Sequence, residues 1–414
     1  MGKNKNKQFD LLVIGAGASG MMAAIIAARN GQKVCILEKL DKVGKKLLAT
    51  GNGKCNFTNA NMAVNCFHAD AGFMEGVLEA FSVQDCLDFF HSIGIYPKNK
   101  NGYYYPNSEQ ASAVVMAFEQ ELHRLGVSIA YESMITKIEH EAHYVLVSTN
   151  QGMYKAYDLI IATGLLASPK LGSDGSLFEL IKKLGHRFSP ILPALCGFYC
   201  KGIPFKKVNG VRAQGSVTAL IDGKEQAVDT GEIQFTDYGL SGIPVFQISS
   251  VLSKGIYRKA KVEIQLNLLP DFDKSSLIQE LNYRKSILGT QTTACFFNGL
   301  LNQKLSNMIL EKVHLDAEQF VSSLSERDIQ NIAFCIQNLK IKVTNYRDYE
   351  FAQVCTGGIP LAEINMQTLE SKFAKHIYFA GEILDVDGIC GGYNLHFAWA
   401  SGYIAAKAII KNKK

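Results

Sequence analysis

The sequence predicts a three-layer α/β protein, a mainly parallel sheet covered by helices, and three stretches of chain carry that prediction. Residues 9–38 read as strand, glycine turn, helix and strand. Tyr157–Gly164 reads as a buried strand ending in a small Thr163-Gly164 turn, after the alternating runs Ile135–Glu139 and Tyr144–Ser148 of a β-meander. Residues 376–410 read as a strand, an acidic loop and a glycine-led helix.

Taken in order, Phe9–Ile14 is a short apolar run followed by Gly15-Ala-Gly17-Ala18-Ser19-Gly20, a helix over Met21–Asn30, a stop at Gly31 and a second strand over Lys33–Glu38. Gly15 permits the tight turn, Gly17 admits a pyrophosphate to the backbone, and Gly20 lets the helix lie on the strand, while the helix N-terminus offers N–H groups and a positive dipole to an anion. Glu38 ends the second strand where a carboxylate accepts both hydroxyls of an adenosine ribose, with Lys39 beside it. A carboxylate there repels a 2′-phosphate, which disfavours NADP in this first site. The opening unit binds a dinucleotide.

The loop Gly51-Asn52-Gly53-Lys54-Cys55-Asn56 imitates a phosphate loop but fails as one: Leu48 stands where glycine is needed and Cys55 where Ser or Thr is needed. The C-terminal stretch runs from His376 through Gly381-Glu382, Asp385, Cys390-Gly391-Gly392-Tyr393-Asn394-Leu395 and His396 into a helix marked by Ala398, Trp399, Gly402, Ala405 and Ile409. A glycine-led helix that follows a strand delivers N–H groups and partial positive charge to a ligand laid across the sheet. The N1–C2=O edge of a flavin needs this on reduction, and Asp385 is placed to hold a ribityl hydroxyl. An NAD domain has no use for such a return.

The set Gly15-x-Gly17-x-x-Gly20, Lys45-Lys-Leu-Leu-x-Thr50-Gly51-Asn-Gly-Lys-Cys-Asn-x-Thr-Asn59, Ala162-Thr-Gly164, Gly172-Ser-Asp-Gly175 and Gly381-Glu-x-x-Asp385-x-Asp-Gly-x-Cys-Gly-Gly-Tyr-Asn394 resembles the bacterial BaiN/YhiN-like flavoproteins, the aminoacetone-oxidase family of FAD-binding enzymes, from residue 9 to about 410. The resemblance implies a glutathione-reductase-like FAD domain, Rossmann in type, interrupted by an inserted β-barrel-like domain and a small helical one. Short alternating runs at Gly215–Ile221, Gly231–Thr236 and Lys261–Leu266, then helical spacing over Leu277–Lys340, fit that plan. The expected domains are 1–190 and 346–414 for FAD, 191–270 for the barrel and 271–345 for the helices. The resemblance also implies non-covalent FAD and a loop, Lys45 to Asn56, beside the flavin. Lys45, Thr50, Gly51, Asn52 and Gly53 thereby join Thr163, Gly164, Gly381, Glu382 and Gly391–Leu395 as expected cofactor contacts.

The flavin carries the redox chemistry, and the protein supplies orientation and electrostatics. No second Gly-x-Gly-x-x-Gly and no Cys-x-x-Cys or Cys-x4-Cys pair exists in the sequence. If NAD(P)H is the transient electron donor, it must visit the same open face as the substrate, with ping-pong kinetics. Cys390, at a helix N-terminus where a thiol can act as acid or nucleophile, and Cys55 are the thiols expected near the isoalloxazine. His396, in the first helical turn, is a candidate proton donor, and Tyr103–Tyr105 can stack on a planar substrate or simply pack.

Three functions stay open. One is a small-molecule amine or ketone oxidoreductase of the aminoacetone-oxidase kind, reoxidised by O2. Another is a uridine reductase that forms dihydrouridine in ribosomal RNA, passing hydride to C6 and a proton from an acid such as Cys390 to C5. The third is a flavin-binding protein without turnover.

Composition bounds these readings. With 414 residues, 47% hydrophobic and 20% charged, the chain is globular and long enough for several domains, not disordered or fibrous. The net charge of +5 resides in Lys3, Lys5, Lys7, Lys411, Lys413 and Lys414. The body is near neutral, with no strong nucleic-acid footprint beyond two short basic tails. Ten single cysteines and no His/Cys cluster point to a reducing cytoplasm and no metal site. Leu11–Ala28 superficially resembles a signal peptide or half a membrane span, but Asp10 and the glycines argue against it.

Overall fold

The computed structural model describes residues 7–412; Lys3, Lys5, Lys413 and Lys414 of the basic tails lie outside the described residues. The chain forms two compact units, one from the segments ending at Leu192 and resuming at Gln353, the other from Pro193–Ala352.

The first unit is built on a seven-stranded sheet. Ser128–Ala130, Val34–Leu37, Lys7–Ile14, Gly152–Ile161 and Ile377–Phe379 lie side by side and parallel. Val145–Thr149 and Ile135–His140 extend Gly152–Ile161 antiparallel, as the meander reading expects. The parallel strands are continuous apolar runs because both their faces are covered; Leu11, Leu12, Val13 and Val34–Leu37 are all buried. The first helix, Ala18–Arg29, begins directly after Gly17, so the last residues of the glycine turn are already its first turn. It packs on the last helix, Tyr393–Asn412, so closely that a Cβ on Gly402 would fall 2.3 Å from the Ser19 carbonyl oxygen.

An aromatic cluster anchors the last helix from its other side. Phe57 stacks on Phe90 at 4.2 Å, Trp399 stacks on Phe118 at 5.3 Å, and Trp399 Nε1 donates to the Phe57 carbonyl at 3.1 Å. Phe57 adjoins a three-stranded sheet of Thr58–Asn59, Tyr103–Pro106 and Pro97–Lys100, and a two-residue ladder pairs Phe67–His68 with Asp387–Gly388.

The second unit contains a closed barrel. Phe198–Lys201, Gly239–Ser241, Lys224–Phe235, Arg212–Ile221, Val262–Asn267 and Leu339–Tyr346 follow one another around it, the last pairing with the first. Helices Lys274–Ile287, Gln303–Lys312 and Glu326–Gln337 fall between the fifth and sixth of these strands. The expected division into 191–270 and 271–345 therefore differs from the observed arrangement: Leu339–Tyr346, assigned to the helical stretch, closes the barrel. Leu339, Ile341 and Val343 are buried and alternate with exposed Lys340, Lys342 and Thr344, the period of a strand. Two short helices, Ile243–Gln247 and Ser249–Tyr257, also interrupt the β-rich stretch.

Among the described residues, no helix is long and apolar enough to cross a membrane, and no group of three His, Cys, Asp or Glu side chains could hold a metal ion.

Candidate functional site

The first turn is shaped by contacts that leave no room for side chains. A Cβ on Gly20 would lie 2.0 Å from the Gly15 carbonyl oxygen, so glycine is required for the helix to approach the strand. Gly17 is the opposite case: nothing lies within 4 Å of its Cβ position, and no side chain caps the helix that Ala18 and Ser19 begin. An open backbone before an uncapped N-terminus suits an anion. Glu38 is buried and fixed, one oxygen accepting the Ala16 N–H at 2.7 Å and the other the Leu40 N–H at 2.8 Å. Each oxygen keeps acceptor capacity for a hydroxyl. Lys39 turns away to pair with Asp174 at 2.6 Å.

The distant segments converge on this turn. Ala162 donates its N–H to the Ile14 carbonyl at 2.9 Å, which sets Thr163 and Gly164 beside Gly15, and a Cβ on Gly164 would stand 3.7 Å from Glu382 Oε2. The Ser19 hydroxyl donates to the Ala380 carbonyl at 3.3 Å, and the Gly381 N–H donates to Ser401 Oγ at 2.8 Å. Glu382 accepts from Lys46 Nζ at 2.6 Å and from the Cys355 N–H at 2.9 Å. Asp385 accepts the Ser189 hydroxyl at 2.6 Å.

The Lys45–Asn56 loop and the start of the last helix meet as well. Lys45 pairs with Asp41, and Thr50 donates to the Leu47 carbonyl. Gly51, Asn52 and Gly53 are exposed with left-handed backbone, φ 55°, 53° and 81°. Asn56 Oδ1 is buried without a hydrogen-bond partner, 2.9 Å from where a Cβ on Gly392 would be. Asn59 Nδ2 holds the Gly391 carbonyl at 2.8 Å, and Asn394 clamps both backbone groups of Gly388 at 2.7 and 2.8 Å. Tyr393 is buried and Leu395 half-buried. An orphaned acceptor beside a side-chain-free helix start is a place for a ligand's N–H, such as the N3–H that adjoins the C2 carbonyl in a flavin.

The two candidate proton donors fare differently. His396 is fully buried, its Nε2 3.1 Å from the Phe81 carbonyl and its Nδ1 2.8 Å from Thr58 Oγ1. Burial pulls its pKa down to about 4. With both nitrogens committed in the core it is a packing residue, which corrects the expectation of a proton donor. Cys55 is also fully buried, its thiol pushed up to about 12 by burial. Cys390 is half-buried, close to Tyr105, whose phenol is raised by burial and then by Tyr103, Cys390 and Glu109.

Some residues of the site escaped the sequence. Lys46 and Asn56 sit inside a motif already singled out but carry no signal that selects them over their neighbours. Asp387 likewise sits inside the last motif, whereas His68, joined to it at 2.7 Å across 319 positions, carries no signal at all.

A glycine turn, a fixed acid closing the second strand and a glycine-led helix returning from the far end of the chain define an FAD-binding protein. The match to the family described as HI0933-like protein Rossmann domain covers residues 9–408, and the chain belongs to that family. It is 39% identical to a 3-dehydro-bile acid delta(4,6)-reductase of Clostridium scindens over 96% of this chain and 98% of that one. It is 26% identical to a ribosomal RNA dihydrouridine synthase of Escherichia coli over 98% of this chain and 99% of that one. In fold it is similar to 3-ketosteroid delta1-dehydrogenase from Sterolibacterium denitrificans, with a TM-score of 0.50, 11% identity, and coverage of 98% of this chain and 100% of that chain. The protein is an FAD-dependent oxidoreductase, as the sequence reading expects.

Proposed function

We propose that the protein reduces a carbon–carbon double bond conjugated to a carbonyl group in a small molecule. The observation that carries this reading is the 39% identity, over nearly the whole of both chains, to a reductase of a 3-dehydro-bile acid. FAD supplies two-electron hydride transfer when bound. Glu38 receives the adenosine ribose, and the N–H groups at Gly17, Ala18 and Ser19 receive the pyrophosphate. Glu382 and Asp385 hold the ribityl chain, with Lys46 keeping Glu382 in place at 2.6 Å. The N-terminus of the last helix, Gly391–Leu395, would stabilise the negative charge that reduction puts on the ring, and Asn56, Thr50 and Gly51–Gly53 would help to hold it. The hydride needs an accompanying proton, for which Cys390 is, with His396 buried, the remaining donor among those the sequence offered.

A uridine of ribosomal RNA presents the same chemistry, a double bond beside a carbonyl, and relatives 26% and 27% identical are named for it. The near-neutral charge of the chain outside its six tail lysines favours the small molecule. The test is to photoreduce the FAD-loaded protein without oxygen and add either a steroid 3-oxo-4,6-diene or unmodified ribosomal RNA. Stoichiometric return of oxidised-flavin absorbance with the diene is the expected result. A diene no faster than buffer would sink this reading, and response to RNA alone would replace it.

A further inference from the structure

Hydride transfer to a conjugated double bond leaves the substrate one proton short. His396 cannot supply it, being buried with both nitrogens engaged. Another histidine is arranged to do so. His68 Nδ1 lies 2.7 Å from Asp387 Oδ2, the Asp387 side chain being 3% exposed and that of His68 33%. The pairing is built into the backbone: Asp387 stands directly opposite His68 in the two-residue antiparallel ladder, and the next N–H, that of Ile389, donates to the Cys66 carbonyl at 2.9 Å. Opposite residues in such a ladder share a face. A buried carboxylate on Nδ1 fixes the orientation of the ring, and Nε2 makes no hydrogen bond among the described residues.

Position separates this pair from a look-alike. His376 Nδ1 also lies 3.0 Å from a buried aspartate, Asp158. Asp158, however, stands before the last three residues of Gly152–Ile161, whereas the ligand end of that strand is marked by Ala162, whose carbonyl oxygen would be 2.6 Å from a Cβ on Gly15. Asp387 lies on the stretch that leaves the carboxyl end of Ile377–Phe379, between Asp385 and Gly391, and Asn394 of the last helix clamps its neighbour Gly388. The ladder thus ties His68 to the segment that leads into the flavin-facing helix.

We propose that His68, oriented by Asp387, is the proton donor of the reduction, in place of Cys390. This rests on the conjugated-carbonyl reading. FAD, when bound and reduced, would supply the hydride and be left oxidised; as the new C–H bond forms at the β-carbon, the C=C π bond breaks and its electron pair moves onto the α-carbon and carbonyl oxygen. The Nε2–H bond of His68 then breaks, its proton forms the second C–H bond at the α-carbon, and the neutral imidazole is reprotonated from water. Asp387 is a positioning residue and His68 the catalytic one.

Single-turnover reoxidation of the photoreduced holoprotein by the steroid diene tests this. His68→Ala is expected to lower the rate about 100-fold or more, with added imidazole restoring part of it, while FAD content stays that of wild type. Asp387→Asn is expected to lower the rate with little change in substrate KM, and His376→Asn to match wild type. Independently of turnover, 15N NMR of the apoprotein should show a proton on His68 Nδ1 that Asp387→Asn displaces. An unprotonated Nδ1 in the wild type, a full rate in His68→Ala, or a loss carried by Cys390→Ala while His68→Ala keeps its rate would each overturn the proposal. A wild type that reduces the diene while His68→Ala does so equally well removes this inference alone; a wild type inert to the diene removes the function and the inference together.

Discussion

Glu38 shows how one side chain combines structure and binding. Its two oxygens hold the Ala16 and Leu40 amides, so the carboxylate is aimed before any ligand arrives. Glu38→Ala therefore removes a brace of the glycine turn together with the proposed ribose acceptors, and equilibrium titration should show FAD affinity reduced by about 1.5–3 kcal/mol, roughly 10- to 150-fold. An unchanged affinity would place the adenosine elsewhere. His396 makes a prediction of a different kind. Its folded pKa, about 4, lies below the ordinary 6.5, so the unfolded chain takes up the proton first. The contribution to stability is full above about pH 6.5, declines as the pH falls, and is gone below about pH 4, a change on the order of 3 kcal/mol. Urea unfolding across that range should show this slope in the wild type and a flatter one in His396→Gln. The sequence placed His396 at the helix start correctly, yet it carries no sign of what the ring nitrogens meet. Thr58 and Phe81 are 338 and 315 positions away, and only their arrival makes the residue structural.

At the scale of elements, the same residue type has opposite consequences. Gly402 lets the last helix touch the first, and Gly402→Val would drive a branched side chain against the Ser19 carbonyl, 2.3 Å from its Cβ, costing about 3 kcal/mol. Gly76, within the helix Ala71–Ala80, has nothing within 4 Å of its Cβ position, and Gly76→Ala should stabilise by about 0.5–1 kcal/mol. Denaturant midpoints measure both, and a stabilised Gly402→Val would contradict the packing described. Elements whose signals are local were legible: the apolar run Leu11–Ile14, the glycine turn, and the meander of Ile135–His140 and Val145–Thr149 are all present. Leu339–Tyr346 was not, although its alternation of apolar and polar residues is clear in retrospect. It follows the helix Glu326–Gln337 almost without a break, and no Gly or Pro marks the change of period from 3.6 to 2. Asp387–Gly388 is only two residues long, too short for any periodicity.

On the scale of the whole molecule, the FAD-binding unit is discontinuous, leaving at Leu192 and resuming at Gln353. Its site exists only once Ser19 meets Ala380 and Ser401 meets Gly381. The motifs announced this meeting because a glycine turn and a glycine-led helix are each expected to serve half of one elongated ligand. The partners that lock it, Lys46 on Glu382 and Ser189 on Asp385, depend on tertiary contacts no spacing reveals. On the proposed reading, the first turn seats the adenosine while the last helix meets the flavin ring. Titration of the apoprotein with FAD and, separately, with FMN tests it most directly, because FMN has the ring and ribityl chain but lacks the adenosine. One FAD per chain, bound at least about 100-fold more tightly than FMN, is the predicted result. Equal affinity for the two, or no binding of either, would contradict it.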